Sequence, residues 1–596
     1  MCGIIGYIGA RNAAPILFDG LRRIEYRGYD SAGIATVEGK IYVKKDKGKI
    51  DEIHARVNFL ELPGKIGIGH TRWATHGEPS QKNAHPHLDS SERVAVVHNG
   101  VIENYLELKR RLEKAGCRFS SETDTEVIPN LIAYFMKKGR TLEDAVRRAA
   151  LKLRGSFAIA VVSVAEPEKI ICVRKESPLI IGIGKGEMFL ASDIPAVLPW
   201  TKKVIVLEDG DMATVKSDGV AIKSYITGRV VRRRPMKVTW TIEMAEKGGY
   251  PHFTLKEIFQ QPDAVRETLR AGEREMSRLI DMMMKAKRIY FVACGTSYHA
   301  ALVGKYALKK LAKIPVEAVI SSEFPESCHV DGKTLVLAIT QSGETADTLR
   351  AARVAKAGGA KLTCLTNVLG SSITRESDLS LYTFAGPEVS VVATKTFAAQ
   401  VAFLLLLSVR AALRKGIKAK KLERELFELP ELIKKALKDV APWAKKFAEK
   451  LWRAKDIYLI GRGIGLPVVL EGALKLKEIT YIHAEGMPAG ELKHGTLALI
   501  EEGTPLLAVV PPGETREKMI GNIEEVRARG AEVVIFCSDE EMREHAREVV
   551  ILPKTDELLS PLLYILPFQL LAYYICVKRG QDPDKPRSLA KSVTVL

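Results

Sequence analysis

Short apolar runs broken by glycine recur through the first ~230 residues. They include Ile4-Ile5-Gly6-Tyr7-Ile8-Gly9 and the stretches 66–69, 94–97 and 157–164. Their length and glycine punctuation predict strands, and apolar positions at helical spacing predict helices over 105–115 and 125–137. Sheets covered by helices give an α+β layout for residues 2–230. The basic stretch 229–235, which ends on Pro235, interrupts this pattern and predicts a linker over 231–283.

From about residue 285 the grammar changes to apolar strand, glycine-bearing turn and long helix, repeated, as in a parallel, doubly wound α/β fold. The stretch also repeats itself. Ile289-Tyr290 followed by Gly295, Gly304, Leu308 and Lys309 returns at one constant offset as Ile457-Tyr458, Gly463, Gly472, Leu476 and Lys477. Leu337-Ala338 with Gly343-Glu344-Thr345 returns as Leu507-Ala508 with Gly513-Glu514-Thr515. Two diverged copies of one domain are therefore expected, over 284–425 and 450–580, followed by a tail, 581–596. Between them, Lys and Arg alternate with Glu through 418–450, the pattern of an exposed, ion-paired helix.

Length adds that 596 residues exceed one hydrophobic core, so several domains are required. No apolar run reaches the roughly 18 residues of a membrane span. The densest stretch, 401–409, fits a buried helix, and the chain reads as soluble, with no membrane partner. A net charge of +18 raises the question of nucleic acid. The cations are spread along helix faces instead of forming a phosphate-tracking stripe, so no nucleic acid is expected, while an anionic substrate gains from the field. The start, Met1-Cys2-Gly3-Ile4-Ile5, lacks the basic and apolar regions of a secretory signal, which points to the cytoplasm. Eight cysteines without a CxxC pair argue against a zinc site or disulfide framework, and no metal is expected.

Cys2 is the first chemical candidate. Removal of Met1 leaves a thiol and a free α-amine on one residue, and an amine of reference pKa about 7.7–8.0 can take the thiol proton directly or through water. The bland alternative is a small residue starting a buried strand. Four further motifs weigh against it: Tyr26-Arg27-Gly28-Tyr29-Asp30-Ser31-Ala32-Gly33, His70-Thr71-Arg72-Trp73-Ala74-Thr75-His76-Gly77, His98-Asn99-Gly100 and Ser121-Glu122-Thr123-Asp124-Thr125. As a set they resemble the class II glutamine amidotransferase domain, an N-terminal nucleophile hydrolase with an αββα sandwich. The resemblance implies that Cys2 attacks glutamine while the Asn99 side chain and the Gly100 N–H stabilise the oxyanion. It further implies that Arg72 clamps the α-carboxylate and Asp124 the α-ammonium. Trp73, Thr75 and His76 would line the same pocket. His98 reads as a structural histidine at a strand end.

In the first α/β copy, Cys294-Gly295-Thr296-Ser297 and Thr340-Gln341-Ser342-Gly343-Glu344-Thr345 each follow an apolar strand. Hydroxyl residues and glycine at a strand-to-helix turn expose N–H groups able to hold a phosphate. Neither a Walker lysine nor a full GxGxxG fingerprint is present, so a monophosphate is favoured over a nucleotide. In the second copy the matching turn reads Pro511-Pro512. Proline has no N–H to donate, so that copy should not hold phosphate in the same way. Its chemistry lies instead in Glu471, Lys475 and Glu478, which share one helix face. Such a stripe is ordinarily a salt-bridged surface.

That stripe, together with His483-Ala-Glu-Gly, Gly490-Glu491-Leu492-Lys493-His494-Gly495 and Arg587-Ser-Leu-Ala-Lys591-Ser-Val-Thr-Val, resembles the tandem sugar-isomerase (SIS) domains of the glutamine–fructose-6-phosphate aminotransferase family. The resemblance implies conversion of fructose 6-phosphate and glutamine to glucosamine 6-phosphate and glutamate, with ammonia passed internally and no organic cofactor. Ser297, Thr340, Gln341, Ser342 and Thr345 would form the phosphate cradle, with Val391, Glu471 and Lys475 supporting the sugar. Lys591 would open the ketose as a Schiff base, Glu478 would move the proton between C1 and C2, and His494 would open the ring. In the family that histidine comes from a neighbouring subunit, which implies a homodimer. Thr340 stands where many members have serine and keeps the hydroxyl. Ala393 replaces a common serine, which puts one sugar contact in doubt. A phosphoribosyl-type amidotransferase would need an acidic diphosphate motif, which is absent. A sugar-phosphate-sensing regulator would have no use for Cys2, Asn99 or Lys591, and a phosphosugar deglycase would share the C-terminal half only.

Overall fold

The computed structural model describes residues 2–73, 77–238, 247–270 and 272–593. The chain divides into two units, whose described parts are 2–238 with 590–593, and 247–270 with 272–589.

All strand pairs of the first unit are antiparallel among the described residues. One sheet runs, edge to edge, Met236–Lys237, Lys203–Val206, Ile180–Ile183, Met188–Ala191, Gly3–Ile8, Ile66–Arg72, Ser31–Glu38 and Lys40–Lys47. The other runs Gly219–Ser224, Asp211–Lys216, Ile170–Lys175, Gly155–Ser163, Val94–Ile102 and His87–Leu88. Alternation along each strand assigns the faces. Ile4, Ile8, Ile66, Ile68, Ala95, Val97, Ala158 and Ala160 fill the layer between the sheets. Ile5 and Tyr7 pack under the helices Ala13–Arg23 and Ile50–Val57. On the far side, Val94, Val96, Phe157 and Ile159 pack under Tyr105–Lys114, Val127–Lys137 and Leu142–Ala150. The result is the four-layer αββα sandwich expected from the motifs. Parity then has a consequence for chemistry, because positions 70 and 72 continue the inward face of one strand and position 99 that of another.

The second unit holds two five-stranded parallel sheets. The first is ordered Glu317–Ile320, Arg288–Ala293, Thr334–Ile339, Lys361–Thr366, Leu379–Tyr382, and the second His483–Pro488, Asp456–Gly461, Pro505–Val509, Glu532–Cys537, Glu548–Ile551. Both therefore have strand order 2-1-3-4-5, and the repeat read from the sequence is a repeat of topology. In each, the connections reverse direction between the first and third strands, the position at which open α/β sheets bind ligands.

The helices Lys395–Arg414 and Glu557–Lys578 are long and apolar enough to cross a membrane by length and composition, and both are buried within the unit. The span 231–283, expected to be a linker, is not one. Met236–Lys237 is an edge strand of the first unit, and Arg233 pairs with Asp211 and Glu208 at 2.8 Å each. Phe253–Phe259, Gln261–Arg270 and Glu273–Lys285 are helices whose Ile258, Val265, Leu269, Met276, Leu279, Ile280 and Met283 join the second unit's core. Their apolar residues recur at helical spacing, and burying that stripe outweighs the local basic and proline signal. The charged stretch after 418 becomes the 32-residue helix Lys420–Leu451, exposed on its Lys/Glu face and buried along Leu426, Leu429, Ile433 and Leu437.

Candidate active site

In the first unit, Cys2 lies one residue before the strand Gly3–Ile8, with Gly3 registered opposite Thr71. Its Sγ accepts from the Trp73 N–H at 3.3 Å and donates to the Trp73 carbonyl at 3.5 Å. Burial pushes the thiol pKa up, against the opposing pull of the Trp73 amide and the Arg72 guanidinium, so a base is needed to release the proton. Gly28 makes this geometry possible: a Cβ there would stand 2.7 Å from both Arg72 C and Trp73 N, so only glycine lets the two segments approach so closely. Tyr29 meets the Trp73 indole edge-on at 5.7 Å.

The strand Val94–Ile102 brings Asn99 to the same place. Asn99 Nδ2 donates to the Cys2 carbonyl at 3.0 Å, and Gly100, at φ +123° with Ser156 O only 2.1 Å from any added Cβ, admits no side chain. Arg72 is buried; its Nη2 donates to Gly77 O at 3.1 Å, and burial lowers its pKa against the charges of Cys2, Asp124 and Asp30. Asp124, also buried, accepts from the Ile102 N–H at 2.7 Å. Cys2, Trp73, Arg72, Asn99, Gly100 and Asp124 are thus drawn from both sheets to one end of the sandwich. Thr75 and His76 lie outside the described residues. His98 is buried with its Nδ1 at 2.8 Å from Thr125 Oγ1, a structural role.

Three other members of these motifs, to which the sequence assigned no role, also stand around Cys2 and Asn99. Arg27 donates to the Cys2 carbonyl at 3.3 Å and pairs with Asp193 at 2.8 Å, and Tyr26 OH donates to the same carboxylate at 2.7 Å. His70 stands beside Asn99, with Nε2 3.1 Å from Oδ1. Strand alternation places His70 on the same face as Arg72, which is the signal by which it can be found.

In the second unit the turns 294–297 and 340–345 sit at the carboxyl ends of the adjacent strands Arg288–Ala293 and Thr334–Ile339. Ser297 is in the first turn of the helix Gly295–Ala307, its Oγ accepting from Gln400 Nε2 at 3.0 Å. Thr345 occupies the N-cap position of the helix Ala346–Ala357. Thr340 Oγ1 lies 3.3 Å from Thr345 Oγ1 and accepts from the Gly343 N–H at 3.2 Å, and Ser342 Oγ accepts from the Glu344 N–H at 3.1 Å. The Gln341 carbonyl accepts from the Asn367 N–H at 3.1 Å. Two helix N-termini and their hydroxyls meet here, an arrangement of N–H and O–H groups able to hold an anion. Val391 N–H donates to the Asp584 carbonyl at 3.2 Å, and the Asp584 carboxylate accepts from the N–H groups of Phe253 and Thr254 at 2.9 and 2.7 Å.

Beside this cradle is a buried charge cluster. Lys475 Nζ donates to Glu478 at 2.6 Å, Thr296 Oγ1 at 3.1 Å, Glu471 at 3.2 Å and the Ala393 carbonyl at 3.2 Å. Thr296 Oγ1 donates to Glu471 at 3.0 Å, and His299 Nδ1 lies 2.7 Å from its other oxygen. Glu471 and Lys475 are fully buried, so the helix Gly465–Thr480 of one copy is clamped to Gly295–Ala307 of the other through Thr296 and His299. Their i, i+3 spacing was visible, but without the facing helix it had no partner. Burial would lower the Lys475 pKa, yet Glu471 and Glu478 hold it above the ordinary lysine value. His494 ends the short helix Ala489–His494 and is exposed. Lys591 lies in the tail that groups with the first unit.

The turn Pro511-Pro512 follows the strand Pro505–Val509, and a Cβ on Gly465 would lie 3.3 Å from the Pro511 ring. Pro511 therefore packs against the N-terminus of the helix Gly465–Thr480.

Known proteins carry the same pair of modules. The glutamine amidotransferase domain family matches residues 70–199, and the SIS domain family matches 282–410 and again 450–579. A glutamine–fructose-6-phosphate aminotransferase [isomerizing] of Pyrococcus horikoshii is 51% identical over 598 residues, covering all of both chains. The chain belongs to the glutamine–fructose-6-phosphate aminotransferase family. The enzyme of that name from Thermococcus kodakarensis is 52% identical over 604 residues, again across both full lengths. Among solved structures, the C-terminal domain of glucosamine-fructose-6-phosphate aminotransferase from Francisella tularensis matches with a TM-score of 0.54 at 37% identity, covering 57% of this chain and 99% of that one.

Proposed function

We propose that this chain hydrolyses glutamine at Cys2 and uses the ammonia to convert fructose 6-phosphate into glucosamine 6-phosphate. The observation that carries the reading is the convergence of Cys2, Asn99, Arg72 and Asp124 at one end of an αββα sandwich, on a chain that also holds the hydroxyl cradle and the Glu471–Lys475–Glu478 cluster. Full-length relatives bearing that enzyme name support it.

With Met1 removed, the Cys2 α-amine takes the thiol proton, the thiolate attacks the side-chain amide carbon, the amine returns the proton to the departing ammonia, and water activated by the same amine cleaves the resulting thioester to release glutamate and restore the thiol. Arg72 and Asp124 hold the two ends of glutamine, with Trp73, Thr75 and His76 around them. At the sugar site, Ser297, Thr340, Gln341, Ser342 and Thr345 hold the phosphate, and His494 of a second subunit opens the ring. Lys591 condenses with the C2 carbonyl and releases water. Ammonia then displaces the lysine to leave the C2 imine. Glu478 removes a proton from C1 and returns it to C2 while the C1 hydroxyl proton passes to the imine nitrogen, giving the 2-amino aldose. Homodimer formation and a cytoplasmic location complete the reading, which requires no organic cofactor.

The test is glucosamine 6-phosphate formation from glutamine and fructose 6-phosphate, with intact protein lacking Met1 compared with Cys2→Ala. Product from the former alone, with rescue of the variant by ammonia, supports the scheme. No product from the trimmed wild type overturns it.

A further inference from the structure

The carboxamide of Asn99 has two ends of nearly equal size and opposite electrostatic meaning. With its NH2 group toward Cys2 it stabilises an oxyanion. Rotated by half a turn, it would set a carbonyl oxygen against the same developing charge. Something must therefore choose between the two, and the neighbouring strand supplies it.

His70 Nε2 lies 2.9 Å from the His98 carbonyl oxygen and 3.1 Å from the Asn99 side chain. A carbonyl oxygen can only accept, so Nε2 must carry the ring proton. The Asn99 atom facing it must then be the acceptor, Oδ1, which leaves Nδ2 pointing at Cys2, where it donates to the backbone carbonyl at 3.0 Å. One backbone carbonyl thus fixes the histidine tautomer, and the tautomer fixes the amide. The ring cannot easily turn: His70 is fully buried and stacks on His85 at 4.1 Å between ring centres. Burial also lowers its pKa to about 3, so the ring is neutral near neutral pH.

We propose that His70 is a positioning residue that holds Asn99 in the one orientation able to stabilise the oxyanion formed at Cys2. It rests on the glutaminase reading above. In that step the Cys2 sulfur bonds to the side-chain amide carbon of glutamine and the carbonyl π pair moves onto oxygen, where Asn99 Nδ2 donates. Collapse restores the carbonyl and breaks the C–N bond, and ammonia leaves with the proton held by the Cys2 α-amine. His70 touches neither substrate nor sulfur and acts only through Asn99.

The test uses full-length chain lacking Met1, with His70→Leu, His70→Gln and His70→Asn. A glutamine amide nitrogen can reach the position of Nε2, whereas that of asparagine falls short, so both polar variants keep the site filled while only one restores the donor. Glutamine hydrolysis is expected to fall about 10–100-fold in kcat for His70→Leu and His70→Asn, with KM little changed, and to recover largely in His70→Gln. The γ-aldehyde analogue of glutamine, whose thiohemiacetal places an oxyanion at the same point, should lose affinity by a similar factor, while the product glutamate binds as before. His70→Leu added to Asn99→Ala should cost nothing further.

The proposal is overturned by wild-type kcat in His70→Asn, by equal losses for the aldehyde and for glutamate, or by additive losses in the double variant. A wild type that does not hydrolyse glutamine overturns the underlying reading instead.

Discussion

Lys475 holds Glu478 at 2.6 Å, Nζ to Oε2, across one turn of the helix Gly465–Thr480. The same ammonium reaches Glu471 at 3.2 Å, so one buried cation serves two carboxylates. Lys475→Met removes the shared partner and leaves Glu471 buried with only His299 and Thr296. A loss of roughly 3–5 kcal/mol in the stability of the second unit is expected, because an uncompensated buried charge remains. Sugar conversion should cease while glutamine hydrolysis at Cys2 persists. Thermal unfolding and the two separate assays check this.

The cluster also sets a pH window. Burial alone would raise the Glu471 carboxyl, but the Lys475 charge and the His299 hydrogen bond leave it below its ordinary 4.5. Its contribution to stability is therefore present above 4.5 and lost as pH falls through the lower folded value. Lys475, raised above its ordinary 10.5, contributes fully below 10.5 and loses that contribution as pH climbs through the higher folded value. Denaturation of wild type and of Glu471→Gln/Lys475→Met, compared across pH, should show a difference that is flat between these limits and shrinks at both ends.

Asn99→Ala should lower kcat for glutamine hydrolysis about 10²–10³-fold, the usual effect of deleting one oxyanion donor. KM for glutamine should change little, because Arg72 and Asp124 are untouched. Steady-state release of glutamate measures both.

Gly28→Ala drives a methyl group to 2.7 Å from the backbone at Arg72 and Trp73. That backbone holds the Cys2 thiol, and overpacking against it costs about 1–3 kcal/mol. Glutamine-driven product formation should fall, whereas formation driven by added ammonia should remain.

Gly343→Ala acts on the other half. The residue has φ +70°, and an added Cβ would lie 2.1 Å from Ser371 Oγ. The turn 340–345 must open, so KM for fructose 6-phosphate should rise at least about tenfold while glutamine hydrolysis is unchanged. Titration with the sugar phosphate and the glutaminase assay separate the two outcomes.

Much of this organisation was legible because local rules act alone. Glycine-punctuated apolar runs at 4–9, 66–69 and 94–97 mark strands of the sandwich, and the constant offset between Gly295/Gly304 and Gly463/Gly472 marks the duplication. What escaped reading depended on partners distant in sequence. His70 has meaning only once the strand Val94–Ile102 lies beside it, and His299 only once the helix bearing Glu471 is packed against its own. Asp584, which ties the Val391 loop to the helix Phe253–Phe259, belongs to no local pattern. The misread linker shows the opposite failure: Ile258, Val265 and Leu269 carried a helical signal, but Pro235 and its arginines dominated the reading.

Pro511 lies against Gly465 in the second copy's crevice. If the first copy alone holds phosphate, as proposed, each chain should saturate with one equivalent of sugar phosphate, not two. The copy that gave up its seat supplies the helix carrying Glu471, Lys475 and Glu478 beside the copy that kept one. Neither copy could then be deleted as redundant: gene duplication here ended in mutual dependence, and a truncated single-copy version would have either the grip or the reactive carboxylates, but never both.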